Sequence, residues 1–163
     1  MIAERMRLPD AADPGPRAAL RMMFPASEEA VRAALRHWRG AVAGMGEVGD
    51  LMDRSEIVLA EVLNNIAEHG RVDAATGWIG LRCDPGPLGL RFVVTDRGRP
   101  LPPALLTPLA DGPPLPQDLD LPDLPEGGFG WQMIRLLTRE LTCHHEAQGN
   151  RLSFLIPRHA PGG

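Results

Sequence analysis

Nine prolines fall between residues 100 and 125 of this 163-residue chain, together with four aspartates and no arginine. Proline lacks a backbone donor and clashes inside a helix, so neither a helix nor a central strand persists across such a stretch. The chain therefore reads as two blocks of regular structure joined by an acidic loop. Its four aspartates match the formal net charge of -4. The length suits one domain with one core, and 44% hydrophobic against 23% charged residues excludes both wholesale disorder and a membrane bundle.

All 17 basic residues are arginines. Without lysine there is no P-loop lysine, no strand lysine of a conventional protein kinase and no Schiff base. The acidic balance argues against nucleic-acid binding through general phosphate neutralisation. The opening MIAERMRLPDAADPGP carries charges and prolines where a signal peptide needs an apolar run, and no window has the apolar length to span a bilayer, so a cytoplasmic protein is expected. Cys83 and Cys143 fit no paired metal spacing and are expected to pack within strands.

Residues 1–17 are expected to be a flexible segment. A first strand is expected at Leu20 to Phe24, and Ser27 with Glu28 and Glu29 signals a helix running to about Ala43. Its apolar positions Val31, Leu35, Trp38 and Val42 recur at threes and fours, which makes Trp38 a core anchor. A second helix is expected from Leu51 to His69, ending at Gly70. Strands follow at Trp78 to Cys83 and Leu88 to Thr95, joined by Asp84-Pro85-Gly86-Pro87. Beyond the acidic loop, a helix is expected from Trp131 to Glu140. Strands at Leu141 to Glu146 and Arg151 to Ile156 close the chain, with Gln148-Gly149-Asn150 as their turn.

The second helix is amphipathic. Val58, Leu59, Ala60, Val62, Leu63, Ile66 and Ala67 fill one half of its wheel, while Glu61, Asn64, Asn65, Glu68 and His69 fill the other. Glu61, Asn65 and His69 form a polar line with about 6 Å between neighbours. Taken alone, such a line simply meets water. The strand Phe92-Val93-Val94-Thr95 ends in Asp96-Arg97-Gly98, either a plain turn or a carboxylate that accepts from the exocyclic amine of a purine. Gly127-Gly128-Phe129-Gly130 precedes a helix, where glycines serve as hinges or let N–H groups close around phosphate. The three signals gain weight from occurring together and in this order.

The Glu-x-x-x-Asn-x-x-x-His helix, the Asp-x-Gly strand end, the Gly-Gly-x-Gly cluster and the closing Gly149-Asn150-Arg151-Leu152-Ser153-Phe154 strand resemble the Bergerat (GHKL) ATP-binding fold. The nearest likeness is to the anti-sigma-factor serine/threonine kinases related to histidine-kinase ATPase domains. The likeness covers about residues 18–157, with residues 158–163 as a tail. It implies an α/β, two-layer sandwich with helices on one face of a mixed, mostly antiparallel sheet, and an ATP lid over about residues 97–130.

Carried over by position, Glu61 is the general base and Asn65 the protein ligand of Mg²⁺. Asp96 reads adenine, Gly98 lines the base pocket, and Gly127, Gly128 and Gly130 enclose the phosphates. His69 ends the motif, either at the nucleotide or as support for the helix end. Two positions depart from the family pattern: Arg99-Pro100 follows Gly98 where a second glycine is usual, and Glu126 precedes the glycine cluster where an arginine is frequent. The implied function is ATP- and Mg²⁺-dependent phosphorylation of a small antagonist protein, with a sigma factor and a second copy of the chain as further partners. A nucleotide-sensing module without phosphoryl transfer is the rival.

Overall fold

A computed structural model of the chain describes residues 20–69, 77–100 and 129–158. Along these run β1 (Leu20–Pro25), α1 (Glu28–Gly44), α2 (Asp50–His69), β2 (Trp78–Gly86), β3 (Gly89–Asp96), α3 (Phe129–Leu137), β4 (Arg139–Glu146) and β5 (Gly149–Pro157). The strands form one sheet in the order β1-β2-β3-β5-β4, and every described pairing is antiparallel. This is the α/β architecture expected from the sequence, with the helices as a second layer.

Alternation along the strands decides which face is covered. Ile79, Leu81 and Cys83 of β2, Leu90, Phe92 and Val94 of β3, and Leu152, Phe154 and Ile156 of β5 are all buried in the common core. Arg82, Arg91 and Arg151 lie on the opposite side. Phe92 sits at the centre of this core, 5.9 Å from the Trp38 ring and 5.2 Å from the Phe154 ring by centroid. Cys83 lies fully buried in the same layer, and burial pushes its thiol up to about 12, which makes it a packing residue and no nucleophile.

Ser27 caps α1 as expected, its hydroxyl accepting from the Ala30 amide at 3.2 Å. α2 is the middle helix of the layer, packing on α1 and α3 and touching β3 and β5. Its apolar half behaves as read, with Val58, Leu59, Val62, Leu63 and Ala67 buried. Arg54, also buried, ties the start of α2 to the end of β5 by donating to Asp50 at 2.6 Å and to the Pro157 and Arg158 carbonyls at 2.9 and 3.2 Å. None of the described helices is long and apolar enough to cross a membrane.

Several boundaries differ from expectation. β2 continues past Cys83 to Gly86, which pairs with Gly89, so Asp84, Pro85 and Gly86 are strand and the β2–β3 turn is residues 87–88. α3 begins at Phe129 rather than Trp131, and β4 at Arg139 rather than Leu141. α3 stops at Leu137 rather than Glu140. There the Thr138 hydroxyl donates to the Ile134 carbonyl at 2.6 Å, Glu140 takes φ 53°, and a register shift between Arg139 and Thr142 starts β4. Gly149 and Asn150 belong to β5, pairing with Glu146 and His145, so the β4–β5 turn is residues 147–148. Arg158, expected to begin the tail, is instead clamped. Its guanidinium donates to both Glu47 oxygens at 2.9 and 2.6 Å and to the Gly86 carbonyl at 2.8 Å, and this holds the Glu47 carboxyl below its ordinary value. The expected N-terminal segment, Gly70 and most of the lid lie outside the described residues.

The ring cluster yields a direct test. Phe92→Ala should leave a cavity between Trp38 and Phe154 and cost about 3–5 kcal/mol of stability in urea denaturation; a loss below about 1 kcal/mol would contradict the central place given to this ring.

Candidate functional site

Two separate groups of residues carry the polar features singled out from the sequence. The first is built on the end of β3. Because Leu90, Phe92 and Val94 point into the core, alternation directs Asp96 to the same helix-facing side, half-buried where the hydrophobic row runs out. The Gly98 amide donates to Asp96 Oδ1 at 2.6 Å and closes a tight turn. Asn150 of β5, Asp96's partner in the ladder, donates to the same oxygen at 3.1 Å and to the Arg99 carbonyl at 2.7 Å. Gly149 has φ +125°, and a Cβ there would collide with the Asp96 carbonyl oxygen, so only glycine permits this approach of β5 to the strand end.

Burial raises the Asp96 carboxyl above its ordinary value, while the Gly98 amide, the Asn150 side chain and His145 pull it back down. A carboxylate held at such a cost is poised to accept a hydrogen bond from a bound group.

The second group lies on α2 and α3. Glu61, half-buried on the polar side of α2, rests against the backbone of Gly130 in the first turn of α3. A Cβ at Gly130 would collide with Glu61 Oε2 and come within 3.1 Å of its Cδ. Asn65 follows one turn later. Its Nδ2 is buried without a hydrogen-bond partner, so the protein itself does not satisfy this amide. Gln132 Oε1 of α3 is a second buried polar atom left without a partner. A buried polar atom left without a partner, such as the Asn65 amide, is open to pairing with a polar ligand.

The residues singled out from the sequence thus separate. Asp96 and Gly98 are joined directly, and Glu61 is joined to Gly130. Asn65 stands on the same helix face as Glu61, and His69 is the last residue of α2. Gly127 and Gly128 lie outside the described residues. Asn150 and His145 were missed: read as a turn residue, Asn150 shows its role only once β5 is known to pair with β3.

Among the described residues no group of three or more His, Cys, Asp or Glu could cage a metal ion. Magnesium keeps most of its waters and shares phosphate oxygens, and a side-chain amide oxygen such as that of Asn65 is a ligand of the type it takes.

Asp96 also carries a stability signature. An acid whose value is raised by folding lowers stability as pH rises from the unfolded carboxylate value through the raised one, because the folded state must then hold a desolvated charge. Asp96→Asn keeps an acceptor for Gly98 and Asn150 without that charge. Its melting temperature in the absence of ligand should match wild type at low pH and exceed it increasingly across that window, as read by calorimetry over a pH series; a variant less stable at neutral pH would refute the assignment.

Comparison with the curated proteins returns no significant match. Among solved structures, the chain is similar to the histidine kinase domain of the blue-light activated histidine kinase from Erythrobacter litoralis EL346. The identity is 22% and the TM-score 0.46, with 81% of this chain and 64% of that one covered. This chain thus spans less than two thirds of the length of that structure. A family model described as the histidine kinase-like ATPase domain matches residues 24–156, from the end of β1 to the penultimate residue of β5, and includes both groups of site residues. The chain belongs to the histidine kinase-like ATPase domain family, whose ligand is ATP.

Proposed function

We propose that this domain acts as an anti-sigma-factor-type serine/threonine kinase, binding and phosphorylating a small antagonist protein in a partner-switching control of transcription. The observation that carries the reading is the seat of Glu61 against Gly130, with Asn65 one turn further along α2. A carboxylate held at the start of α3 is suited to receive the proton of a serine hydroxyl whose oxygen attacks the terminal phosphorus of ATP. The bond between that phosphorus and its bridging oxygen breaks, ADP departs with the electron pair, and the proton resides on Glu61. Asp96 holds the adenine amine and keeps the triphosphate in register with Glu61.

The Asn65 amide oxygen is the group that would hold Mg²⁺, and the ion, when bound, offsets charge on the phosphate oxygens. Arg97 and Arg99, both exposed just beyond Asp96, are the nearest candidates for the cation absent at Glu126. Glu126 itself favours the second reading, a nucleotide sensor that captures its partner without transfer, since a carboxylate beside the terminal phosphate repels it.

Incubation with labelled ATP, magnesium and the antagonist encoded nearest the gene should give a phosphorylated antagonist. Glu61→Gln should keep nucleotide and partner binding while transfer falls about 10²–10⁴-fold. Asn65→Ala should weaken Mg²⁺·ATP binding itself, seen as a smaller rise in melting temperature with nucleotide. Wild type without transfer but with nucleotide-dependent capture of the antagonist would replace the kinase by the sensor.

A second variant tests the seat of Glu61. Gly130→Ala meets only the flexible end of the Glu61 side chain, so the fold should survive while the carboxylate is driven aside. Transfer should fall roughly as far as in Glu61→Gln, with ATP binding reduced much less; unchanged transfer would remove Glu61 from the chemistry.

A further inference from the structure

Asp96, Asn150 and His145 form one rung across three strands, Asp96 of β3 pairing with Asn150 of β5 and Asn150 with His145 of β4. Asn150 is 4% exposed, and its amide is engaged at both ends. Oδ1 lies 2.9 Å from His145 Nδ1, while Nδ2 donates to Asp96 Oδ1 at 3.1 Å and to the Arg99 carbonyl at 2.7 Å. A nitrogen set between two acceptors cannot trade places with the amide oxygen. The His145 nitrogen facing that oxygen must therefore carry the proton.

Asp96 Oδ1 thus receives two donors, Gly98 N and Asn150 Nδ2. Among the described residues nothing donates to Oδ2, and Oδ2 is not among the polar atoms sealed from solvent without a partner.

We propose that the His145–Asn150 rung is a positioning device that leaves Asp96 one open acceptor, Oδ2, and so makes this site select a purine bearing an amine at C6 over one bearing an oxo group there. The proposal deepens the reading of Asp96 as the base acceptor and rests on it. An ionised oxygen accepts and cannot donate, so it bonds an amine and repels a carbonyl. Without the rung, burial drives Asp96 toward its protonated form, whose hydroxyl can donate to an oxo group. Neither Asn150 nor His145 needs to touch the base; each acts through Asp96.

The test is calorimetric titration of the full chain with ATP and with ITP, whose base carries a C6 oxo group and no exocyclic amine, in magnesium buffer. Wild type should prefer ATP. Asn150→Leu and His145→Ala should each narrow the ATP-to-ITP preference about tenfold, and His145→Asn, which restores a donor near the Nδ1 position, should recover it. His145 is exposed on an edge strand, so its variants keep the test open if Asn150→Leu does not fold. Variants that weaken both nucleotides equally, or neither, leave the preference unchanged and overturn the proposal. Wild type without a preference, or Asp96→Asn with wild-type ATP affinity, overturns the reading of Asp96 as base acceptor and the proposal with it.

Discussion

The register of β3 against β5 is the constraint on which the rest of this structure depends. Side chains alternate across a sheet, so a slip of one residue between these strands would turn every buried position outward. In the register found, Phe92 faces Phe154 and the two rings stack within the core, while four residues later Asp96 faces Asn150. One ladder therefore builds the core at its middle and the polar site at its end. Gly149 holds that end in place, because its positive φ and missing Cβ allow β5 to close on the Asp96 carbonyl. The hydrophobic contacts and the binding groups are two ends of a single pairing.

That arrangement places a carboxylate where the hydrophobic row would otherwise continue. Desolvation works against its charge, and three neighbours work for it: the Gly98 amide, the Asn150 side chain and His145. The fold thus spends stability at Asp96 that an apolar residue would keep, and such a cost is expected at a binding site, where a ligand's donor supplies what the protein leaves open. Asn65 and Gln132 repeat the pattern on the helix layer, with polar atoms buried before anything arrives to pair with them.

Local features were legible in the sequence because they depend on near neighbours. The helical period of α2 separated its buried half from the line of Glu61, Asn65 and His69, and the Ser27 cap was evident from its residue type and the acids after it. The end of α3 was misread because leucine spacing continues past the point where Thr138 and the left-handed Glu140 turn the chain into β4. Asn150 was misread for a different reason. Gly-Asn beside Gln reads as a turn by local propensity, and only the pairing of β5 with β3, 54 residues away in the chain, turns the asparagine toward Asp96. The same non-local pairing makes a partner of His145, which carries no signal of its own. The likeness to the ATP-binding fold reached Glu61, Asn65, Asp96 and the glycines through their spacing, but spacing says nothing of the residue that orients a carboxylate from behind.

α2 joins these two levels. Its apolar half packs on the sheet, and its polar half carries the groups proposed for proton transfer and magnesium. The helix is fixed at its far end by the buried Arg54, which grips the carbonyls where β5 finishes, while the start of β5 carries Asn150. Glu61 and Asp96 are thereby held to the two ends of one strand, through Arg54 and the helix axis on one side and through Asn150 on the other. Small displacements at a reacting group cost large factors in rate. A frame in which the residues proposed to read the base and to accept the proton share β5 as their common reference is what the proposed phosphoryl transfer requires, since that reaction depends on holding two reactants in line more than on any covalent chemistry by the protein.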